Sequence, residues 1–280
     1  MESIAIVGVG LIGGSFGLAL REAGFQGTIL GVSSPGAVAE GIEAGAIDRG
    51  ASLDEALETA SVLYLAQPIS KILEVIPHLA RARAGTLITD AGSTKVAIAE
   101  KARNSIRSAQ FLGGHPMAGK ETRGARSAEA GLFQGRTYFL TPREVAELET
   151  PMAASFVGWL KMTGANVVPI SPAAHDHLVA HTSHLPQLLS TALSVHLSEA
   201  LGGAARTGAG PGLLDMSRLA LSSYDIWDDI LRTNGPEIIA AIDSMQRTLE
   251  QVRARVGGDG MRDPFEIASN FAKSLRNTRS

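Results

Sequence analysis

The chain has no cysteine among its 280 residues. That excludes disulfides, thiolate nucleophiles and cysteine-bound zinc or iron–sulfur centres, and it fits a reducing compartment. Charge is sparse as well: Asp, Glu, Lys and Arg make up 19% and nearly cancel, to a formal net charge of -3. With no long basic run, the sequence lacks the electrostatic footprint of a nucleic-acid binder. Long apolar runs are missing too. The N-terminal candidate, residues 4–20, is interrupted by glycines and ends at Arg21-Glu22, so no membrane span is expected. Met1-Glu2-Ser3 carries no basic segment of the kind that opens a secretory signal, and a cytoplasmic protein is expected. Repeats and low-complexity tracts are also absent. The hydrophobic share of 45% still provides a core for one large domain or two ordinary ones.

What is present begins with a glycine loop. Ile4-Ala5-Ile6-Val7 reads as a buried strand. Gly8-Val9-Gly10-Leu11-Ile12-Gly13 comes next and runs into a helical pattern. This is G-x-G-x-x-G in the context it needs, between a strand and a helix. Gly8 permits the tight turn, Gly10 lets backbone N–H groups approach a pyrophosphate, and Gly13 lets the helix close on the strand. With Leu11 and Ile12, these residues form the expected phosphate-binding helix start. The second strand, Thr28–Val32, ends at Ser33-Ser34-Pro35, where an NAD-preferring site usually carries a carboxylate for the ribose. Two hydroxyls and no acid favour NADP over NAD, although the usual neighbouring arginine is missing. Ser33 as a plain helix cap before Pro35 is the competing reading.

Strands and helices keep alternating. Residues 61–66 form a strand that leads to Gln67-Pro68, where a cofactor-facing loop is expected. Residues 86–90 form the next, closing at Asp90-Ala91-Gly92-Ser93-Thr94-Lys95. Ligands of open α/β sheets lie beyond the carboxyl ends of strands, so Ser93 and Lys95 are expected to face one; the alternative is that Ser93 or Thr94 is only an N-cap. A short strand at 110–112 then delivers Gly113-Gly114-His115-Pro116-Met117-Ala118-Gly119. Here a histidine stands on a stretch expected to turn as a glycine- and proline-shaped loop, where it could act as a general base near neutral pH or be an ordinary loop histidine. Further expectations are a strand at 138–142, a long helix over 143–163 and a last strand at 166–170.

From Ser171-Pro172 the alternation gives way to helices, with a long one expected through to about Leu201. The fold class is therefore α/β followed by an all-helical part, divided at residues 1–172 and 173–280, with a cleft between them. His177, His181 and His184 fall at i, i+4 and i+7, which predicts one polar helical face. A metal site is not expected: ligands from one straight helix converge poorly, and no glutamate completes a zincin motif. Arg218 in an apolar stretch, with Trp227 beyond it, pairs either with a protein carboxylate or with one on a ligand.

Taken together, these motifs resemble the prephenate/arogenate dehydrogenase family of tyrosine biosynthesis over nearly the whole chain. The resemblance rests on the glycine loop with Gly14-Ser15, residues 90–95, residues 113–119, Ser183-His184-Leu185-Pro186, and Arg218 with Trp227. It implies a Rossmann-type NAD(P)-binding domain and an all-helical substrate and dimerisation domain, so a homodimer. It implies oxidative decarboxylation of prephenate or arogenate, with His115 accepting the proton of the ring hydroxyl and Ser93 sharing that hydroxyl. Arg218 would bind a substrate carboxylate, and His184, Glu121, Gln187 and Trp227 would line the pocket. Gln187 stands where some members have histidine; being neutral, it pairs poorly with an ammonium, which favours prephenate. An ACT-type regulatory domain is not expected, and tyrosine inhibition would act at the active site. Rival readings are a β-hydroxyacid dehydrogenase, an imine reductase or a nucleotide-sensing module; none of these needs residues 113–119.

Overall fold

The computed structural model describes residues 1–120, 122 and 124–277. Eight strands form one sheet: β1 (Ser3–Val7), β2 (Thr28–Val32), β3 (Arg49–Gly50), β4 (Val62–Leu65), β5 (Leu87–Asp90), β6 (Gln110–Pro116), β7 (Thr137–Thr141) and β8 (Asn166–Pro169), in the order β3-β2-β1-β4-β5-β6-β7-β8. β1 is the hub. It pairs in parallel with β2 on one side and with β4 on the other, so the order reverses there and opens a crevice at the carboxyl ends of β1 and β4. Its side chains alternate between two buried layers, as the period of two requires. Ile4 and Ile6 join one core with Phe16, Tyr64 and Phe156, and Ala5 and Val7 join the other with Leu63, Leu65 and Ile72. Phe16 stacks on Tyr64 with ring centroids 4.2 Å apart.

The helices on the sheet are α1 (Leu11–Glu22), α2 (Pro35–Glu43), α3 (Leu53–Thr59), α4 (Ile69–Val75), α5 (Val96–Ser105) and α6 (Pro151–Met162). The long helix expected over 143–163 is two pieces, a 3-10 turn Val145–Glu149 and then α6. Pro151 has no N–H to donate, so it starts a helix and cannot sit inside one. The sheet is also not wholly parallel, because β7 runs antiparallel to β6.

β6 differs from the short strand expected. Residues 110–112 pair with β5, and residues 113–116 pair with β7. The stretch expected to turn at Gly113 is thus extended strand as far as Pro116. Its glycines serve close approach: a Cβ on Gly113 would lie 2.3 Å from Thr141 Oγ1, and one on Gly114 2.7 Å from the Asp90 carbonyl oxygen.

Beyond β8 the chain is helical. α7 (Pro172–Val179) passes through a π-turn, Ala180–His184, into α8 (Leu185–Leu201), and α9 (Pro211–Ser217), α10 (Tyr224–Thr233), α11 (Gly235–Arg255) and α12 (Arg262–Asn277) complete it. This half docks on the second core layer, to which it contributes Ala180, Ile230, Ile238 and Ala241. Two hydrogen-bonded caps fix the docking. α4 and α5 begin at Pro68 and Lys95 with no side-chain cap of their own. Asp229 Oδ2 accepts from Ser70 N and Ser70 Oγ, each at 2.9 Å. Asp176 accepts from Lys95 N at 2.7 Å and Val96 N at 2.9 Å. Carboxylates of the helical half thus satisfy N–H groups at the starts of sheet-half helices, where negative charge is favoured. Among the described residues, no helix is long and apolar enough to cross a membrane.

Candidate active site

The crevice at the sheet's reversal point is a cleft of about 450 Å³ whose lining includes Leu11, Ile12, Gln67, Pro68, Ser93 and Asp225. The glycine loop shapes one wall. Gly8 has φ +101°, which an L side chain rarely adopts, and a Cβ there would meet the Ala66 carbonyl oxygen at 2.8 Å. A Cβ on Gly13 would lie 2.1 Å from the Gly8 carbonyl oxygen, whereas nothing lies within 4 Å of one on Gly10. α1 therefore starts close under the loop, at Gly10, with no side-chain cap. Its first N–H groups suit a phosphate. Gln67 Oε1 is buried in the cleft wall without a hydrogen-bond partner, an acceptor awaiting a donor. The residues present fit a dinucleotide.

At the end of β2, Ser34 caps α2 by accepting from Ala37 N at 3.4 Å. The cap expected of Ser33 belongs to its neighbour, and Ser33 stands exposed. Ser93 is half-buried and lines the cleft. It is not the α5 cap, because Asp176 takes that place.

Lys95, expected to face a ligand, points the other way. It is 1% exposed and forms an ion pair with Asp90, which is fully buried. Lys95 Nζ also donates to the Gly114 carbonyl at 2.8 Å, while Asp90 accepts from Gly92 N at 2.9 Å and Gly114 N at 3.1 Å. This buried pair closes the gap where β6 leaves β5, and so holds the strand that carries His115.

His115 is half-buried near the end of β6. Its Nδ1 lies 2.8 Å from His175 Nε2, and His175 Nδ1 lies 2.7 Å from Asp176 Oδ1. Burial holds the His115 imidazole well below its ordinary 6.5, and His175, Lys95 and His184 push it the same way. His115 is thus neutral near pH 7, as a base must be. Burial likewise lowers His175, against the opposing pull of Asp176.

His184 continues the network. It is 1% exposed. Asn234 Nδ2 donates to the Asp176 carbonyl at 2.8 Å and lies 3.2 Å from His184 Nδ1. The His184 ring meets Trp227 edge-on at 5.9 Å, and desolvation lowers its pKa to about 4. The expected single face of His177, His181 and His184 is broken. His177 and His181 are exposed and in contact, and His177 bonds Glu237 at 2.8 Å, whereas His184 is buried on another side. The π-turn Ala180–His184 takes more residues per turn than an α-helix, so the chain is locally underwound and the residues beyond His181 point in a shifted direction.

Gln187 is buried, and its Nε2 donates to the Leu219 carbonyl at 2.8 Å. Its amide donor thus anchors the turn that begins at Arg218. Arg218 itself is exposed at the head of that 3-10 turn. Glu121 lies outside the described residues. The sequence reading passed over Asp176, Asn234 and Asp229 and gave His175 no role of its own; Pro68 at the start of α4, which has no side chain able to cap, was the signal that a partner must come from elsewhere. Among the described residues, no cluster of His, Asp or Glu could hold a metal ion.

A glycine-loop cleft on a doubly wound sheet, overhung by a helical half that supplies buried histidines, defines a two-domain, nucleotide-binding oxidoreductase. The model of the prephenate dehydrogenase nucleotide-binding domain matches residues 16–168, and that of the prephenate dehydrogenase dimerization domain matches residues 171–271. The chain belongs to the prephenate dehydrogenase family. It is 34% identical over 263 residues to the prephenate dehydrogenase of Bacillus subtilis, covering 91% of this chain and 70% of that protein. Among solved structures, prephenate dehydrogenase from A. aeolicus, in complex with hydroxyphenyl propionate and NAD+, superposes with a TM-score of 0.85 at 27% identity, covering 100% of this chain and 97% of that one. Arogenate dehydrogenase of Synechocystis gives 0.82 at 27% identity, over 99% and 100%.

Proposed function

We propose that this chain oxidatively decarboxylates prephenate to 4-hydroxyphenylpyruvate with NAD(P) as hydride acceptor, in tyrosine biosynthesis. The observation that carries the reading is His115: a neutral imidazole near the carboxyl end of β6, hydrogen-bonded to a second buried histidine. A bound nicotinamide supplies the acceptor for the hydride leaving the ring carbon. His115 takes the proton of the hydroxyl on that carbon as the C–O bond gains double-bond character. Loss of carbon dioxide then sends an electron pair into the ring, which becomes aromatic, and His115 returns the proton to the phenolate oxygen. Aromatisation provides much of the driving force, so the protein's part is to position the substrate and handle one proton. Ser93 shares the hydroxyl, Arg218 binds a carboxylate, and His184 and Trp227 line the pocket.

Ser33 and Ser34, with no carboxylate between them, support NADP over NAD. The neutral Gln187 supports prephenate over arogenate. Exposed apolar side chains such as Phe265 and Phe271, 70% and 64% exposed on α12, support a homodimer through the helical half, divided from the sheet half at residues 172 and 173. The lack of cysteine supports a cytoplasmic setting. Following NAD(P)H absorbance with prephenate and arogenate in parallel tests the activity. Replacing His115 with Asn is expected to abolish turnover while cofactor binding persists, and unchanged turnover would remove the reading. Equal or better kcat/KM with NAD would remove the NADP preference.

A further inference from the structure

A general base is useful only if its lone pair faces the proton it must take. An imidazole has two nitrogens, and the hydrogen bond made by one decides what the other presents. The contacts beneath His115 determine that choice. The Asp176 carboxylate already accepts from Lys95 N and Val96 N, and an ionised carboxylate can only accept. Its 2.7 Å contact with His175 Nδ1 therefore requires the hydrogen on His175 Nδ1. His175 is neutral and fully buried, so its Nε2 is an acceptor. The 2.8 Å contact with His115 Nδ1 then requires the hydrogen on His115 Nδ1, which leaves His115 Nε2 with its lone pair.

We propose that His175, oriented by Asp176, is a positioning residue that locks His115 in the Nδ1–H tautomer and so presents Nε2 to the substrate hydroxyl. The inference rests on the reading of His115 as the base. When Nε2 takes the proton, the Nδ1–H of the resulting imidazolium stays bonded to the neutral His175 Nε2, and no second proton moves. The same Asp176 caps α5, two residues beyond Ser93, so one carboxylate places both the base's support and the start of that helix. Among the described residues, the charged and titratable groups around His115 are Lys95 and Asp90 from the sheet half, and His175, Asp176 and His184 from the helical half. Lys95 and Asp90 are paired with each other, so the His175 contact is what distinguishes the two ring nitrogens.

His175→Phe keeps an aromatic ring against Phe139, whose centroid lies 5.3 Å away, but offers no acceptor. The expected result is a fall in kcat of about tenfold to a hundredfold, the range seen when an orienting partner is lost, with KM changed less than about twofold and the acid limb of kcat displaced to lower pH. Nitrogen-15 shifts of His115, read without substrate, are expected to show Nδ1–H in the native protein and a mixture of tautomers in the variant. His175→Gln places an amide oxygen near the position of Nε2 and should restore the tautomer and most of kcat. His175→Asn reaches only toward Asp176 and should not. The Gln and Asn pair decides the question even where the Phe variant fails to fold. A native His115 protonated on Nε2, or a folded His175→Phe with native kcat and native tautomer, would overturn the proposal. Turnover retained in His115→Asn would instead remove the base reading, while the nitrogen shifts still judge the His175 contact.

Discussion

Replacing Lys95 with Met tests whether the buried ion pair under β6 holds the site. Lys95 is 1% exposed and Asp90 not at all, so neither charge is screened by water. Met fills much of the lysine's volume and removes only its charge and donors. Asp90 would keep its bonds from Gly92 N and Gly114 N but lose its counter-ion. Breaking a buried pair from one side costs about 3–5 kcal/mol, because a charge is left uncompensated. The Gly114 carbonyl, bonded to Lys95 Nζ at 2.8 Å, loses a donor as well, adding about 1 kcal/mol. Against a typical total stability of about 5–15 kcal/mol, the variant should unfold at markedly lower urea concentration. Fluorescence of the two tryptophans can report the transition. Removing both charges, as Asp90→Asn with Lys95→Met, should recover at least about 2 kcal/mol of the single variant's loss, since the damage lies in the orphaned charge. A loss below about 1 kcal/mol in the single variant would refute the argument, for it would mean that the pair is not desolvated.

Three further outcomes are expected from the same geometry. Asp229→Ala removes the acceptor of Ser70 N and Ser70 Oγ and should cost about 1–2 kcal/mol, as lost N-caps do; calorimetry would show this as a lower Tm, and an unchanged Tm would show that α10 does not hold α4. His184 titrates near 4 in the folded chain against 6.5 ordinarily, so its contribution is complete above pH 6.5 and lost as pH falls toward 4, where the unfolded chain takes a proton that the folded one refuses. The gap amounts to about 3 kcal/mol at most, and urea titrations across that window should be flatter for His184→Gln. Gly114→Ala would press a methyl group to within 2.7 Å of the Asp90 carbonyl oxygen and should cost about 1–3 kcal/mol with kcat reduced; a variant of native stability and rate would mean that β6 can move.

The parts of the site legible in the sequence are those whose geometry is local. The glycine loop could be read because a positive φ at Gly8 and close approach at Gly13 depend on neighbours a few residues away. The parts that stayed hidden depend on partners far along the chain. Lys95 was expected to face a ligand because position on a strand's rim says nothing about which way a long side chain turns, and Asp90 draws it inward. Regular periodicity grouped His177, His181 and His184, but a π-turn is not written in apolar spacing. β3 is only two residues long and carries no pattern of its own. The pairing of residues 113–116 with β7 also reverses the strand direction that the preceding alternation implied.

The nucleotide cleft is completed across the seam between the two halves. Helices α4 and α5 come after the strands whose ends form the cleft, and Gln67, Pro68 and Ser93 lie just ahead of them. Both helices start without a cap from their own sequence, and both are completed by carboxylates far along the chain, α5 by Asp176 on α7 and α4 by Asp229 on α10. The Thr94 and Thr233 hydroxyls, 2.8 Å apart, join the same seam. The loops that line the cleft are therefore finished by the half that does not carry the glycine loop. His115 repeats the pattern, for its strand belongs to the sheet while its hydrogen-bonded partner belongs to α7. Loosening the seam should disturb cofactor affinity and proton transfer together, whereas damage inside either core should first appear as lost stability.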